Sequence, residues 1–289
     1  MSEPFTPADI AIIRRGFARQ LVSTCGIEDN AALELAFSKV AREDFLGVPP
    51  WLTSVDLGKY QEVSIFDPVA VYQDLVFALD PARGINNGSP SLHTRWLDTL
   101  KPMSGERVAH IGAGSGYYTA IIAELVGPDG FVLAVEFDPI LAAAATANLS
   151  HYQNVLVVQG DGIKLPDGPT DCIYVNFGVE LPMAAWINNL REGGRLIFPL
   201  GYRRENSIAG GGFLLQRDGS GISARFLGPA YFFPAEGEMQ VSTDYRERMH
   251  TAFEHGQPST VRRLVWQTKK PEDGIWFAGD DWALCEDRN

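Results

Sequence analysis

The sequence predicts an α/β fold built on a doubly wound, mostly parallel sheet. Apolar, strand-like runs alternate with helix-like segments from residue 106 to 200, which is typical of a parallel sheet covered on both faces. Within this region a short apolar run, 108–111, leads through a glycine-rich turn directly into an amphipathic segment. Strand, glycine turn and helix in that order is the opening of a nucleotide-binding βαβ unit.

Three glycines occupy alternate positions in that turn, at Gly112, Gly114 and Gly116. Glycine is needed where the backbone takes a positive φ or where a ligand must approach it closely, and the helix that follows offers free N–H groups. A dinucleotide-binding turn has its third glycine one position later, where Tyr117 stands here. The spacing therefore disfavours NAD and FAD and suits S-adenosylmethionine, although an ordinary glycine-rich turn has the same pattern.

The next two predicted strands each end at an acidic residue. Segment 131–136 ends in Glu136, about 20 residues after the turn, which is the offset at which a carboxylate can reach the ribose hydroxyls of a nucleoside. Segment 155–158 is followed by Gly160, Asp161 and Gly162, and Asp161 is placed to accept from an adenine amino group. Since ligands in such sheets bind beyond the carboxyl ends of the strands, these residues are predicted to meet there.

The pattern divides the chain into three predicted segments. Residues 1–100 contain helices, the first capped at Thr6, and a substrate-side loop around 86–90. Residues 101–237 form the cofactor-binding core, in which a turn at 192–194 leads into a fifth strand, 195–200. The core ends in short antiparallel strands after a flexible break at the glycines 210–212. Residues 238–289 form a small β/α extension to which the sequence assigns no chemistry.

Composition limits the partners of the protein. The net charge of −12 and the pI near 4.9 argue against binding to nucleic-acid backbones or anionic membranes. Cys25, Cys172 and Cys285 show neither metal-site spacing nor a disulfide framework, so no metal is predicted and a reducing, cytoplasmic location is expected. The sequence shows no signal-peptide pattern and no apolar run of membrane-spanning length, and it leaves the oligomeric state open.

Over residues 14–235 the chain resembles the protein-L-isoaspartate O-methyltransferase family. The similar segments are 19–21 with 26–27, 40–45, 72–74, 111–117, 125–127, Glu136, 160–162 and 193–196. The resemblance implies a Rossmann-like methyltransferase fold and S-adenosylmethionine as cofactor. It also implies methyl transfer to a side-chain or main-chain carboxylate at a damaged aspartyl site, which is a protein-repair reaction.

Two positions depart from the family pattern. Where the family has an acid two residues before the first glycine, which helps to hold the methionine amino group, this chain has His110. The family loop Thr-Ile-Ser-x-Pro carries a serine that lies at the acceptor, and alignment on Pro90 puts Asn86 at the threonine and Gly88 at the serine. A different acceptor, either a small molecule or a modified peptide, and a non-catalytic cofactor-binding homologue therefore stay open as alternatives.

These considerations predict a site with two groups of residues. A carboxylate acceptor is already ionised at pH 7, so catalysis needs alignment and hydrogen-bond donors rather than a general base. The predicted catalytic donors are Asn86, Asn87 and Ser89. The predicted cofactor-binding residues are His110, Gly112, Gly114, Gly116, Glu136, Asp161 and Gly162. A hydroxyl or amine acceptor would need a base, for which His93 or His110 are the candidates, although a lone histidine on a helix is more often structural.

Overall fold

The computed structural model describes residues 5–56, 59–63, 67–204, 207–219, 221–236, 241–269 and 273–286. The α-helices are α1 (Pro7–Thr24), α2 (Ala31–Lys39), α3 (Pro90–Leu100), α4 (Tyr117–Val126), α5 (Pro139–Asn148), α6 (Ala184–Asn189) and α7 (Thr243–His255). The first seven strands are β1 (Leu52–Asp56), β2 (Lys59–Glu62), β3 (Ala78–Asp80), β4 (Ile85–Asn86), β5 (Arg107–Ile111), β6 (Phe131–Glu136) and β7 (Val155–Gln159). The others are β8 (Thr170–Val175), β9 (Leu190–Arg204), β10 (Ser207–Asp218), β11 (Gly221–Phe232), β12 (Val261–Trp266), β13 (Ile275–Ala278) and β14 (Trp282–Glu286).

The chain divides into two compact units. The first comprises Met1–Glu106 and Ala113–Gln159, and the second comprises Arg107–Gly112 and Gly160–Asn289. The first unit therefore contains α1 to α5 with β1 to β4, β6 and β7, and the second contains β5 and every element from β8 onward. The three-segment organisation predicted from the sequence stays a prediction.

Local signals set the helix starts in the first unit. The side chain of Thr6 accepts a hydrogen bond from the Asp9 N–H at 3.3 Å, and the Asp9 carboxylate accepts one from the Thr6 N–H at 2.9 Å. This capping box satisfies two N–H groups and confirms the predicted start of α1. Asp138 likewise caps α5 by accepting from two backbone N–H groups of its first turn.

A buried arginine organises the segment that leads to the substrate-side loop. Arg42, in a 3₁₀ turn at Arg42–Phe45, is fully buried. Its guanidinium donates to the carbonyl oxygens of Val71, Gln73 and Leu75 at 2.6 to 2.7 Å and lies over the ring of Phe77 at 5.1 Å. Because one side chain satisfies three carbonyl oxygens, it fixes the backbone of an irregular segment that has no strand pairing to hold it.

The strands of each unit pair in the directions that the sequence predicts. In the first unit β6 and β7 pair in parallel, from Val132 opposite Val155 to Glu136 opposite Gln159. In the second unit β5 pairs in parallel with β8, and β8 pairs in parallel with β9. Beyond β9 the described strands pair in the antiparallel direction, in the order β9, β10, β11, β12, β14 and β13. Parallel strands followed by antiparallel ones match the sequence prediction for this part of the chain.

Two predictions about breaks in these strands are wrong. The expected turn at residues 192–194 lies inside the 15-residue strand β9. Thr170 pairs with Leu190 and Cys172 with Arg195, so the four residues of β9 between these pairs lie opposite a single residue of β8 and form a bulge. The expected flexible break at 210–212 lies inside β10, and β10 and β11 are both 12 residues long. A Cβ on Gly210 would approach the Leu200 carbonyl oxygen to 2.2 Å, so glycine there permits close backbone contact.

The C-terminal segment is held by polar and aromatic contacts within the second unit. Tyr245 of α7 donates its hydroxyl to the Glu180 carbonyl oxygen at 2.5 Å, and Arg246 pairs with the Glu180 carboxylate at 2.8 Å. The rings of Phe253 and Trp276 meet edge to face at 5.1 Å. These two aromatic residues therefore pack against each other. No helix in the described part of the chain is long and apolar enough to cross a membrane.

The buried arginine leads to a stability prediction. In Arg42→Met the aliphatic stem is kept, but three carbonyl oxygens lose their donor, and we expect the free energy of unfolding to fall by about 3 kcal/mol or more. Chemical denaturation measures this change. Arg19→Met is the matched control, because the Arg19 side chain is 77% exposed and should change stability by less than about 0.5 kcal/mol. Equal effects of the two substitutions would contradict the anchoring role of Arg42.

Candidate functional site

The glycine turn has the backbone conformation that the sequence predicts. β5 ends at Ile111 and α4 begins at Tyr117, while Gly112, Gly114 and Gly116 have φ angles of +79°, +58° and +97°. Residues with a Cβ rarely adopt this left-handed region, so each position favours glycine. At Gly116 a Cβ would also come within 2.8 Å of the Leu149 side chain. The turn therefore brings bare backbone to the start of a helix.

Within the first unit, Glu136 at the end of β6 binds this turn. One oxygen of its carboxylate accepts from the Gly114 N–H at 2.7 Å, and the other accepts from the Asp138 N–H at 3.0 Å. Burial raises the pKa of Glu136, and the backbone N–H groups of Asp138, Gly114 and Phe137 oppose that rise. A carboxylate has about four acceptor positions, so Glu136 can hold the turn and still accept hydrogen bonds from a ligand.

The three predicted catalytic side chains lie in one loop of the same unit, and each makes hydrogen bonds within the protein. Asn86 accepts from the Gly88 N–H at 2.9 Å, and Ser89 caps α3 by accepting from the Leu92 N–H at 3.5 Å. Asn87 accepts from the Phe77 N–H at 2.8 Å and is 8% exposed. Its Nδ2 donor is buried, and no acceptor among the described residues reaches it. The Asn86 side-chain nitrogen donates to the Gly84 carbonyl oxygen at 3.3 Å, and the Ser89 hydroxyl lies 3.1 Å from that of Ser91. Among the described residues, Asn87 is therefore the one of the three whose buried donor has no partner.

Gly88 lies against the imidazole of His93. A Cβ on Gly88 would come within 2.2 Å of His93 Nε2, and the φ of Gly88 is +74°. The His93 ring stacks on Tyr118 at 3.7 Å, and the Tyr118 hydroxyl donates to the Gly88 carbonyl oxygen at 3.4 Å. In this conformation any side chain at position 88 would collide with His93, so the loop requires glycine at this position. His93 is 2% exposed and packs inside the unit.

In the second unit the predicted cofactor residue His110 is fully buried on β5. Burial lowers the pKa of His110 to about 3, so its imidazole is neutral near pH 7. Its Nε2 lies 2.7 Å from the side-chain nitrogen of Asn176, which directly follows β8. Sequence analysis did not single out Asn176, although a polar residue that ends an apolar strand is a signal that could have found it.

Asp161 and Gly162 form a turn in the same unit. The Asp161 carboxylate accepts from the Ile163 N–H at 3.1 Å and lies 3.6 Å from the Lys164 ammonium. The Gly162 carbonyl oxygen accepts from the indole N–H of the buried Trp186 at 2.8 Å. A Cβ on Gly162 would come within 2.3 Å of Ile111, so glycine is needed for this approach. The contact brings the turn against the end of β5.

The structure brings several of the predicted residues together inside each unit. In the first, Gly114 and Glu136 are in direct contact. In the second, the ring of Phe177 lies against both Gly112 and Gly162, at 2.8 and 3.4 Å from the positions of their missing Cβ atoms. Phe137, beside Glu136, was also missed, and its ring is 44% exposed although it follows a buried strand. Among the described residues, no group of three or more His, Cys, Asp or Glu could hold a metal ion.

Comparison with known proteins points to one family. The family model for protein-L-isoaspartate(D-aspartate) O-methyltransferase matches residues 47–234. The chain is 35% identical over 162 residues to the protein-L-isoaspartate O-methyltransferase of Methanopyrus kandleri, a match that covers 54% of this chain and 70% of that protein. It is 30% identical over 181 residues to the enzyme of the same name from Thermotoga maritima, which covers 61% of this chain and 51% of that protein.

Two solved structures share the fold. A protein-L-isoaspartate O-methyltransferase superposes with a TM-score of 0.64 at 22% identity, covering 95% of this chain and 88% of that one. A putative protein-L-isoaspartate O-methyltransferase from Plasmodium falciparum, solved with S-adenosyl-L-homocysteine, superposes with a TM-score of 0.60 at 17% identity, covering 78% and 99%. This likeness confirms the α/β, Rossmann-like fold class predicted from the sequence.

The glycine turn leads to a second stability prediction. Gly116→Ala places a Cβ at a φ of +97° and against Leu149, and we expect it to lower the free energy of unfolding by about 1 to 3 kcal/mol. Gly16→Ala is the matched control, since it lies in α1 with nothing within 4 Å of its missing Cβ and should raise stability by up to about 1 kcal/mol. Thermal or chemical denaturation of both variants decides whether the turn is conformationally constrained.

Proposed function

The chain belongs to the protein-L-isoaspartate(D-aspartate) O-methyltransferase family, and on this premise we propose that it transfers a methyl group from S-adenosylmethionine to a carboxylate of an altered aspartyl residue in a protein or peptide. The family match spans residues 47–234 and includes the glycine turn, Glu136, Asp161 and the loop at 86–89. The observation that carries the proposal is the Glu136 carboxylate held 2.7 Å from the Gly114 N–H at the end of a parallel strand.

The residues of the turn fit the proposed cofactor. The positive φ angles at Gly112, Gly114 and Gly116 leave bare backbone where a ligand can approach, and Glu136 has acceptor positions in excess of its backbone donors. In this proposal Glu136 accepts from the ribose hydroxyls. Asp161 accepts from the adenine amino group, Gly162 gives its backbone close access, and His110 lies near the methionine end. When bound, S-adenosylmethionine supplies an electrophilic methyl group on a sulfonium.

The protein's part in the proposed reaction is positioning. A carboxylate acceptor is ionised at pH 7, so no side chain has to remove a proton. Asn87 Nδ2, buried and without an acceptor among the described residues, is the donor best suited to hold the acceptor carboxylate. Asn86 and Ser89 then shape the loop through their bonds to Gly88 and Leu92. A hydrogen bond formed in a buried site orients the attacking oxygen before reaction.

One observation favours a second candidate function, methyl transfer to a different acceptor. In the family the position of Gly88 carries the serine that lies at the acceptor, whereas here His93 Nε2 would be 2.2 Å from a Cβ at that position. The acceptor side of the site is therefore built differently, and a small carboxylic acid or a modified peptide is the alternative substrate class.

A cytoplasmic location is part of the same proposal. Cys25, Cys172 and Cys285 are all free thiols, which suits a reducing compartment. Carboxyl methylation of damaged aspartyl sites there would serve protein repair.

The cofactor assignment is tested by Glu136→Ala. Losing an acceptor for the ribose hydroxyls and the bond to Gly114 should weaken S-adenosylmethionine binding about tenfold or more. Because burial raises the pKa of Glu136 and the ionised form is the acceptor, affinity should begin to fall at a higher pH than for an ordinary glutamate as the solution is acidified. Calorimetric titration across pH measures both effects. The control is Glu28→Ala, at an exposed glutamate, and unchanged affinity in Glu136→Ala would refute the assignment.

The acceptor assignment is tested by transfer of labelled methyl groups to an isoaspartyl peptide, to its aspartyl counterpart and to a panel of small carboxylic acids. We expect the isoaspartyl peptide to be methylated, and Asn87→Asp to lower kcat/KM for it by about 10- to 100-fold. This substitution keeps the oxygen that accepts from Phe77 but replaces the donor by an anionic oxygen that repels the acceptor.

Two controls accompany this assay. S-adenosylmethionine affinity of Asn87→Asp should match that of the parent protein, and rates are compared well below the variant's own unfolding midpoint, so that a lower rate reports on the acceptor alone. Methylation of a small acid but not of the isoaspartyl peptide would select the second candidate function. Transfer to neither, with cofactor binding intact, would indicate the non-catalytic homologue.

A further inference from the structure

Asn176 carries a buried acceptor without a donor. Its backbone N–H donates to the Ile111 carbonyl oxygen at 2.8 Å, so the residue continues the parallel pairing of β8 with β5 to the carboxyl end of the strands. Its side-chain nitrogen lies 2.7 Å from His110 Nε2. The remaining amide atom, Oδ1, is buried, and no donor among the described residues reaches it. An unpaired buried acceptor costs about 1 to 3 kcal/mol, which a ligand's N–H could offset.

His110 fixes the direction of that acceptor. An amide nitrogen can only donate, so His110 Nε2 must be the accepting nitrogen of the neutral imidazole, with the proton on Nδ1. The ring is fully buried and lies against Tyr174 at a centroid distance of 5.6 Å, which leaves it little freedom to rotate. With its nitrogen engaged by His110, the Asn176 amide directs Oδ1 away from the His110 ring. Since burial lowers the pKa of His110 to about 3, the ring brings no positive charge to this position near pH 7.

The donors of S-adenosylmethionine identify what Oδ1 would accept. The molecule has three kinds of donor: the adenine amino group, the ribose hydroxyls and the α-ammonium of its methionine part. In the proposed function Asp161 and Glu136 serve the first two, and the ammonium is the donor to which no acidic side chain has been assigned, because the residue at position 110 is a neutral histidine. Asn176 lies beside Gly112, whose missing Cβ would be 3.6 Å from the Asn176 carbonyl carbon.

We propose that Asn176 Oδ1 accepts a hydrogen bond from the α-ammonium of bound S-adenosylmethionine and that His110 is the positioning residue that aims it. A neutral amide thus takes the role that an acidic side chain at position 110 would otherwise have. This inference rests on the proposed function, because it assigns one more residue to the same cofactor.

The test compares two ligands that differ at the methionine end. S-adenosylmethionine carries the ammonium, whereas 5′-methylthioadenosine keeps the adenine, ribose and sulfur but has no amino-acid part. Asn176→Ala should weaken binding of S-adenosylmethionine about tenfold and leave binding of 5′-methylthioadenosine unchanged, as measured by calorimetry. Asn176→Asp, which keeps an oxygen acceptor and adds negative charge, should bind S-adenosylmethionine at least as tightly as the parent protein.

The controls separate this inference from the proposed function. Asn188→Ala, at an exposed asparagine of the same unit that accepts from the Trp266 indole, should change neither affinity. Glu136→Ala should weaken both ligands, because both carry the ribose. If Asn176→Ala binds S-adenosylmethionine as the parent does, or loses both ligands equally, the assignment of Asn176 is wrong while the cofactor assignment stands. If the parent protein binds neither ligand, the proposed function itself fails and takes this inference with it.

Discussion

The hydrogen bond from the Gly114 N–H to the Glu136 carboxylate is the contact on which the candidate ligand-binding residues of the first unit depend. It joins the turn before α4 to the carboxyl end of β6, two segments that the whole of α4 separates along the chain. A hydrogen bond to a charged group stabilises by about 1.5 to 3 kcal/mol, enough to offset part of the cost of burying the carboxylate. The carboxylate that would bind a ligand is therefore already oriented before the ligand arrives.

The loop at 86–89 depends on a second, longer chain of contacts. Arg42 binds carbonyl oxygens between Val71 and Leu75. Two residues further along the polypeptide, the N–H and the carbonyl oxygen of Phe77 both form hydrogen bonds with Asn87. An irregular segment of this length has no ladder of its own to fix it. The hydrogen bonds of the buried guanidinium fix the backbone of this segment in place of strand pairing. They thereby fix Phe77, which in turn positions the Asn87 amide.

The parts of the molecule that the sequence could predict are those set by local rules. The caps at Thr6 and Asp138, the glycine turn, and the strand that ends at Glu136 follow from residues within a few positions of each other. The wrong predictions concern contacts made across strands. Whether Gly210 interrupts β10 or allows it to lie close to β9 at Gly201 depends on which residues of β9 face it. The residues next to Gly210 along the chain carry no information about that contact. The structure places residues 86, 87 and 89 close together, but which of them keeps a free donor depends on contacts of Asn86 with Gly84 and of Ser89 with Ser91.

On sequence alone, His110 removes an acid that would help to hold the cofactor, whereas its buried position on β5 allows it a different role. Read alone, a histidine in place of an acid removes an anion and could add a cation beside a positively charged cofactor. The fold places that ring where water cannot reach it, and a buried imidazole stays neutral because charging it would cost the desolvation of an ion. A neutral ring with one accepting nitrogen can order the amide of Asn176 on the neighbouring strand. The parallel pairing of β5 with β8 brings the side chains at positions 110 and 176 into contact. The effect of histidine at position 110 therefore depends on the asparagine at position 176.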